Sequence, residues 1–129
     1  MVFQIKTPIL GFETTERVAL TKHDDLTATI TDVDNPDISF SLVNPYALRE
    51  YSFDVPGSLR VLLEMDEQSK VYVYNIMVMQ KPVEKSVVNF LAPLIFNEAN
   101  GTMGQAVLSQ REYPDFGLCN TVEEFMQKG

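Results

Sequence analysis

The sequence predicts a mainly β fold: a small, antiparallel, barrel-like single domain over residues 1–129, carrying one or two short helices. Three observations lead there. Apolar and polar residues alternate strictly in several short runs, the pattern of half-buried strands. Turn-forming residues recur between these runs. The run Val71–Met79 is apolar on both faces except at Asn75, as expected of a strand covered on both sides or docked against a partner.

Taken in order, Phe3 and Ile5 alternate with Gln4 and Lys6, giving the first strand. Thr27-Ala28-Thr29-Ile30-Thr31 alternates with threonine on one face, and Ile38-Ser39-Phe40-Ser41-Leu42 with serine outward. Asp34-Asn35-Pro36-Asp37 is a turn, because Asp and Asn bond local backbone and Pro presets φ. Asn44-Pro45 ends the strand before it. Ser58–Met65 reads as a helix after Pro56-Gly57, with Leu59, Leu62 and Leu63 on one face and Ser58 as its cap. Thr121–Lys128 reads as a second, with Thr121 and Glu124 as a capping box, so that residues 118–129 form a short helical extension. Val87–Asn97 and Thr102–Leu108 read as two strands folded back through Asn100-Gly101, residues that tolerate positive φ.

The first of those two strands is unusual. It carries Pro93 in its middle and Asn89 and Asn97 near its ends. Proline cannot donate to a ladder and belongs at an edge or bulge. A buried amide needs partners for its donors and acceptor, so Asn75, Asn89 and Asn97 are each expected to tie a loop or bulge to a neighbouring strand. An edge is also where another chain can add on.

Composition narrows the function. The length suits one domain with its own core, and no apolar run reaches the ~20 residues of a membrane helix. The N-terminus lacks the charged start and apolar block of a signal peptide, and Cys119 is the lone cysteine. A cytoplasmic location is the expectation, without membrane contact. The net charge of −8 and the scattered basic residues argue against direct nucleic-acid binding, and an acidic surface suits a basic protein partner.

Catalytic chemistry finds little support. His23 is the single histidine and lies in the turn-like Lys22-His23-Asp24-Asp25. No nucleophile motif surrounds Cys119. Asp32-Val33-Asp34-Asn35 opens like a calcium loop, but Asp37 and Val43 stand where Gly and Glu are required. The glycines form no phosphate-binding fingerprint. No catalytic residue, metal site or cofactor is expected. The competing readings are a small β-barrel enzyme or ligand-binding module, which needs a deep pocket with convergent polar groups, and a single-stranded nucleic-acid barrel, which needs a positive groove with exposed aromatics.

Several short elements, in order, resemble one family. Ile9-Leu10-Gly11-Phe12-Glu13 is similar to its "IxGFE" element. Phe40 through Asn44-Pro45-Tyr46, followed by Tyr51-Ser52-Phe53-Asp54, resembles its "F…NP…Y-x-F" element. Ser86–Asn97 resembles its "N-L-x-A-P-I-x-x-N" signature, and Gly104-Gln105-Ala106-Val107-Leu108 and Tyr113 match the family's pattern C-terminal to that signature. The family is the FliW flagellar assembly factors, and the terse N-terminus resembles its Campylobacter and Helicobacter branch. Two departures stand out: only Thr7-Pro8-Ile9-Leu10 leads into the Gly-Phe pair, and Leu118–Gly129 runs past where many members stop.

The resemblance implies a non-catalytic barrel that binds two partners, the C-terminal region of flagellin and the translational regulator CsrA. It further implies a switch: the factor sequesters CsrA, and flagellin displaces it. The residues singled out as signature or partner-binding candidates are Phe12, Asn44, Pro45, Tyr46, Asn75, Asn89, Pro93, Asn97, Gln105 and Tyr113.

Overall fold

The computed structural model describes residues 1–48, 51–66, 69–78 and 85–114. The expected C-terminal helix, the extension over residues 118–129, Cys119 and Met79 lie outside the described residues. Eight strands form one sheet: β1 (Val2–Thr7), β2 (Arg17–Lys22), β3 (Thr27–Asp32), β4 (Ser39–Val43), β5 (Val71–Val78), β6 (Val87–Val88), β7 (Leu94–Asn97) and β8 (Thr102–Gln105). The order is β4-β3-β2-β1-β8-β7-β5, and β4 pairs back onto β5, so these seven close into a barrel. Strand β6 continues the β7 side of β5.

The barrel is not antiparallel throughout. β1 and β8 run parallel, Gln4 facing Thr102 and Ile5 facing Met103, with an irregular step before Thr7. Directions cannot alternate all the way round a ring with an odd number of strands, so one parallel pair is a geometric necessity. Local patterning cannot reveal it, because it joins the first and last strands of the fold.

Alternation sorts the side chains into two cores. Phe3, Val18, Leu20, Ala28, Ile30, Leu42, Tyr74, Leu94, Phe96 and Met103 fill the barrel. Phe3 and Phe96 pack edge to face at 5.0 Å. Each such fully buried side chain contributes roughly 1.5–3 kcal/mol. The other face of β4, β5 and β7 presents Val43, Met77 and Ile95 to an outer layer of Tyr51, Leu59, Leu63, Phe90 and Leu108. This explains why β5 is apolar on both faces: its outside is covered by the chain itself.

Among the described residues one α-helix, α1 (Gly57–Leu62), carries this outer layer. It is shorter than the sequence pattern predicts and starts differently. Pro56 is its N-cap residue, with no side-chain cap, and Ser58 lies inside the first turn. Only Leu59 and Leu63 of the expected apolar face are buried; Leu62 is exposed. Its C-terminus is a Schellman turn: Met65 N–H donates to Arg60 O at 3.0 Å and Glu64 N–H to Val61 O at 3.1 Å. Glu64 takes the left-handed position, φ 54°, that glycine usually fills.

Candidate functional site

The segment expected to be one strand with a central proline is two strands joined by an irregular stretch. Val88 faces Met77 and Leu94 faces Tyr74. Six residue steps on one side therefore match three on β5, which leaves a three-residue bulge between Asn89 and Pro93. The displaced chain is held by β8's continuation: Ala106 N–H donates to Pro93 O at 2.9 Å and Leu108 N–H to Leu91 O at 2.7 Å. Pro93 ends the bulge, where no ladder donor is asked of it.

Asn75 closes the gap the bulge opens. Its Nδ2 donates to Asn89 O at 2.7 Å and to the Tyr51 hydroxyl at 3.3 Å. That hydroxyl donates to Phe90 O at 2.6 Å. Asn75 is fully buried, and its Oδ1 has no hydrogen-bond partner among the described residues. Asn89 turns its own Oδ1 to Leu91 N–H at 3.2 Å. Asn75 and Asn89 therefore act as a pair. Tyr51 is a third member of the cluster; the sequence matched it only as part of a motif, because its partners lie 24 and 39 residues away.

Asn97 sits on the outer face of β7, fully buried. Its Nδ2 donates to Leu63 O at 2.8 Å, and its Oδ1 accepts from Ala99 N–H at 3.2 Å. Leu63 O also accepts from Asn100 Nδ2 and Thr102 Oγ1, each at 3.2 Å. The last carbonyls of a helix lack intrahelical partners. Here the β7–β8 hairpin supplies them and pins α1 to the barrel. Gly104 lies beneath the same helix: a Cβ there would come within 2.8 Å of Leu59 Cδ1 and 2.5 Å of Thr7 Oγ1.

Gln105 ties two other elements together. Its Oε1 accepts from Leu10 N–H at 2.9 Å, and its Nε2 donates to Ala92 O at 3.3 Å. The Ile9–Phe12 turn needs Gly11 at φ 88°, and Phe12 N–H closes it onto Ile9 O at 2.8 Å. Phe12 packs edge to face on Phe40 at 4.7 Å and stays partly exposed. Asn44 caps the 3-10 turn Pro45–Ala47 by accepting from Tyr46 N–H at 3.0 Å. Pro45 is buried, whereas Tyr46 is 54% exposed and packs edge to face on Tyr51 at 5.8 Å. Tyr113 accepts from Asp54 N–H at 3.0 Å and lines an open groove of about 350 Å³ with Val107, Ser109 and Glu112.

The candidates thus do not converge on one pocket. Most are ties between a loop and a strand, and Tyr46 and Phe12 are the ones that show apolar surface. Val61 at 77% and Val107 at 63% exposure add further apolar patches. Several charged groups are engaged in local structure. The backbone N–H of Asp34, with help from the Thr15 hydroxyl and Asn35 N–H, holds the Asp32 carboxyl below its ordinary value of 3.8. Through these bonds Asp32 holds the start of the turn expected at Asp34-Asn35-Pro36-Asp37. His23 Nε2 lies 2.6 Å from Thr29 Oγ1 at the surface.

The residues that match the family's elements are therefore the ones that shape this barrel. The FliW protein family model matches residues 1–115. The chain belongs to the FliW family. It is 45% identical to flagellar assembly factor FliW 1 of Wolinella succinogenes over 128 residues, covering 99% of this chain and 100% of that protein. It is 47% identical to flagellar assembly factor FliW 1 of Helicobacter pylori over 130 residues, covering 99% and 96%. A crystal structure of the flagellar assembly factor FliW superposes with a TM-score of 0.77, at 20% identity, over 84% of this chain and 77% of that one, and has the same fold. Among the described residues no helix is long and apolar enough to cross a membrane.

Proposed function

We propose that this protein is a non-enzymatic flagellar assembly factor, acting in the cytoplasm, that binds the C-terminal region of flagellin and antagonises CsrA. Free protein sequesters CsrA; flagellin displaces CsrA and restores repression of its own translation. The observation that carries the reading is full-length similarity, at 45–47% identity, to proteins named flagellar assembly factors.

Two physical features support it. The net charge of −8 favours encounter with a basic RNA-binding partner, since complementary charge acts on association rate and specificity. The barrel interior is packed with the buried side chains of Phe3, Phe96, Ile30, Leu94 and Met103, which weighs against the enzyme or ligand-binding alternative.

Isothermal titration and co-elution with purified flagellin and with CsrA test the proposal. Micromolar or tighter binding to each is expected, with flagellin displacing CsrA. Absence of heat and of co-elution with both partners sinks it, and a stable ternary complex refutes mutual exclusion.

A further inference from the structure

Strand β5 has one edge paired by β7 and β6 on either side of the bulge and one that is half open. β7 pairs along Val71–Tyr74, whereas β4 pairs the opposite edge only along Asn75–Met77. Glu98 N–H donates to Lys70 O at 2.9 Å, which fixes the phase of the β5–β7 ladder. Hydrogen-bonded positions alternate in antiparallel pairs. Tyr72 and Tyr74 therefore turn their N–H and C=O groups toward β7, and Val71 and Val73 turn theirs to the other edge. Among the described residues no hydrogen bond reaches those groups.

The sequence explains why β4 stops short. Val43 faces Asn75, so the next ladder position, opposite Val73, falls to Pro45, which has no N–H to give. Asn44 N–H is already committed to Leu26 O at 2.7 Å, and its side chain caps the Pro45–Ala47 turn. The chain peels away and leaves a slot of about 130 Å³ between Asn44 and Tyr46 on one side and Val71–Tyr74 on the other.

We propose that this slot is a β-augmentation site for a short extended segment of a partner polypeptide, apolar at alternate positions and basic at the end beside Asp25. Backbone groups supply the affinity and alternate side chains the selectivity in this mode. Val71 and Val73 offer two donors and two acceptors. Tyr46, backed by Tyr51, gives an apolar wall. Asp25 sits at the Asn44 end, where its carbonyl accepts from Asn44 Nδ2 at 3.1 Å, and its exposed carboxylate has no ion-pair partner among the described residues. The nearby cations are engaged: Lys70, before Val71, lies 3.5 Å from Glu98, and Lys22 sits 3.6 Å over the Tyr72 ring. A segment running antiparallel to β5, as β4 does, places its N-terminal end by Asp25. The Asn44–Tyr46 turn stands beside the edge, so a single strand enters where a second barrel meets the turn first. The inference stands without the flagellar reading.

The test uses the full chain, labelled with ¹⁵N, and a synthetic C-amidated peptide Lys-Val-Ser-Val-Ser-Val as probe. In the free protein the Val71 and Val73 amides should exchange at least tenfold faster than those of Tyr72 and Tyr74. Peptide should slow their exchange and shift their resonances. Val71→Pro, at a strand's first residue with an outward N–H, should weaken binding at least fivefold, while Val71→Ala, which loses the same packing on the outer core and so lowers the melting temperature to a similar extent, keeps binding. Asp25→Lys, on an exposed turn, should also weaken binding and serves if the proline variant does not fold. Protection of both amides in the free protein, by self-association or otherwise, overturns the proposal. So do unmoved resonances on adding peptide, or wild-type affinity in the Val71→Pro and Asp25→Lys variants.

Discussion

Asn97→Ala tests whether the buried asparagine holds α1 to the barrel. The change removes a long contact to Ser69 Oγ at 3.5 Å and two well-formed hydrogen bonds, to Leu63 O at 2.8 Å and from Ala99 N–H at 3.2 Å. Each contributes about 0.5–1.5 kcal/mol net, so roughly 1–3 kcal/mol is lost. The lower half of that range is expected. Leu63 O keeps Asn100 Nδ2 and Thr102 Oγ1 as donors, and Ala99 is exposed, so its N–H turns to water. Asn97→Asp should be worse, by more than about 3 kcal/mol in total, because it sets a buried carboxylate against a carbonyl oxygen. The assay is urea unfolding followed by circular dichroism, with the slope held common if the transition stays two-state. The reasoning is refuted if Asn97→Ala unfolds at the wild-type midpoint, or if Asn97→Asp is no less stable than Asn97→Ala.

Glu64→Gly should stabilise the protein by roughly 0.5–1 kcal/mol, read as a raised melting temperature, because φ 54° costs an L-residue about 1–2 kcal/mol and glycine returns part of that as chain entropy; a fall in melting temperature would show that the Glu64 side chain matters more than its backbone. Asp32 makes stability depend on pH. Its folded carboxyl is held below the ordinary value of 3.8, first by Asp34 N–H, so its contribution is full above the unfolded value and drains away as pH falls through the lower folded one. Unfolding midpoints of wild type should drop in that acid range more steeply than those of Asp32→Asn, and parallel curves would remove Asp32 as a cause.

Much of this protein is legible in its order of residues. The alternation in Thr27–Thr31 and Ile38–Leu42 reports burial on one face, which is a local property, and it marks β3 and β4 to within a residue. Pro93 and the asparagines mark an irregular stretch for the same reason: proline cannot donate and amides need partners, wherever they sit. The family elements locate the residues that shape the fold, Asn44 and Pro45 at the end of β4 and Asn89–Asn97 at the bulge.

Relations between distant segments needed the tertiary structure. Alternation cannot show that β1 and β8 meet in parallel, or that the outer face of β5 is covered by Tyr51, Leu59 and Phe90 and not by a partner. Nor can it show that Asn75 lies opposite a bulge 14 residues away, or that three side chains of one hairpin converge on Leu63 O. The open edge at Val71 and Val73 is of the same kind. Pro45 announces that a ladder stops, but which strand it leaves unpaired depends on how the barrel closes. Sequence alone marked most of the strands, the irregular stretch at Pro93 and the family, but neither β2 nor the division of Val87–Asn97 into β6 and β7; barrel closure, set by which edges find partners, decided which faces remain for other molecules.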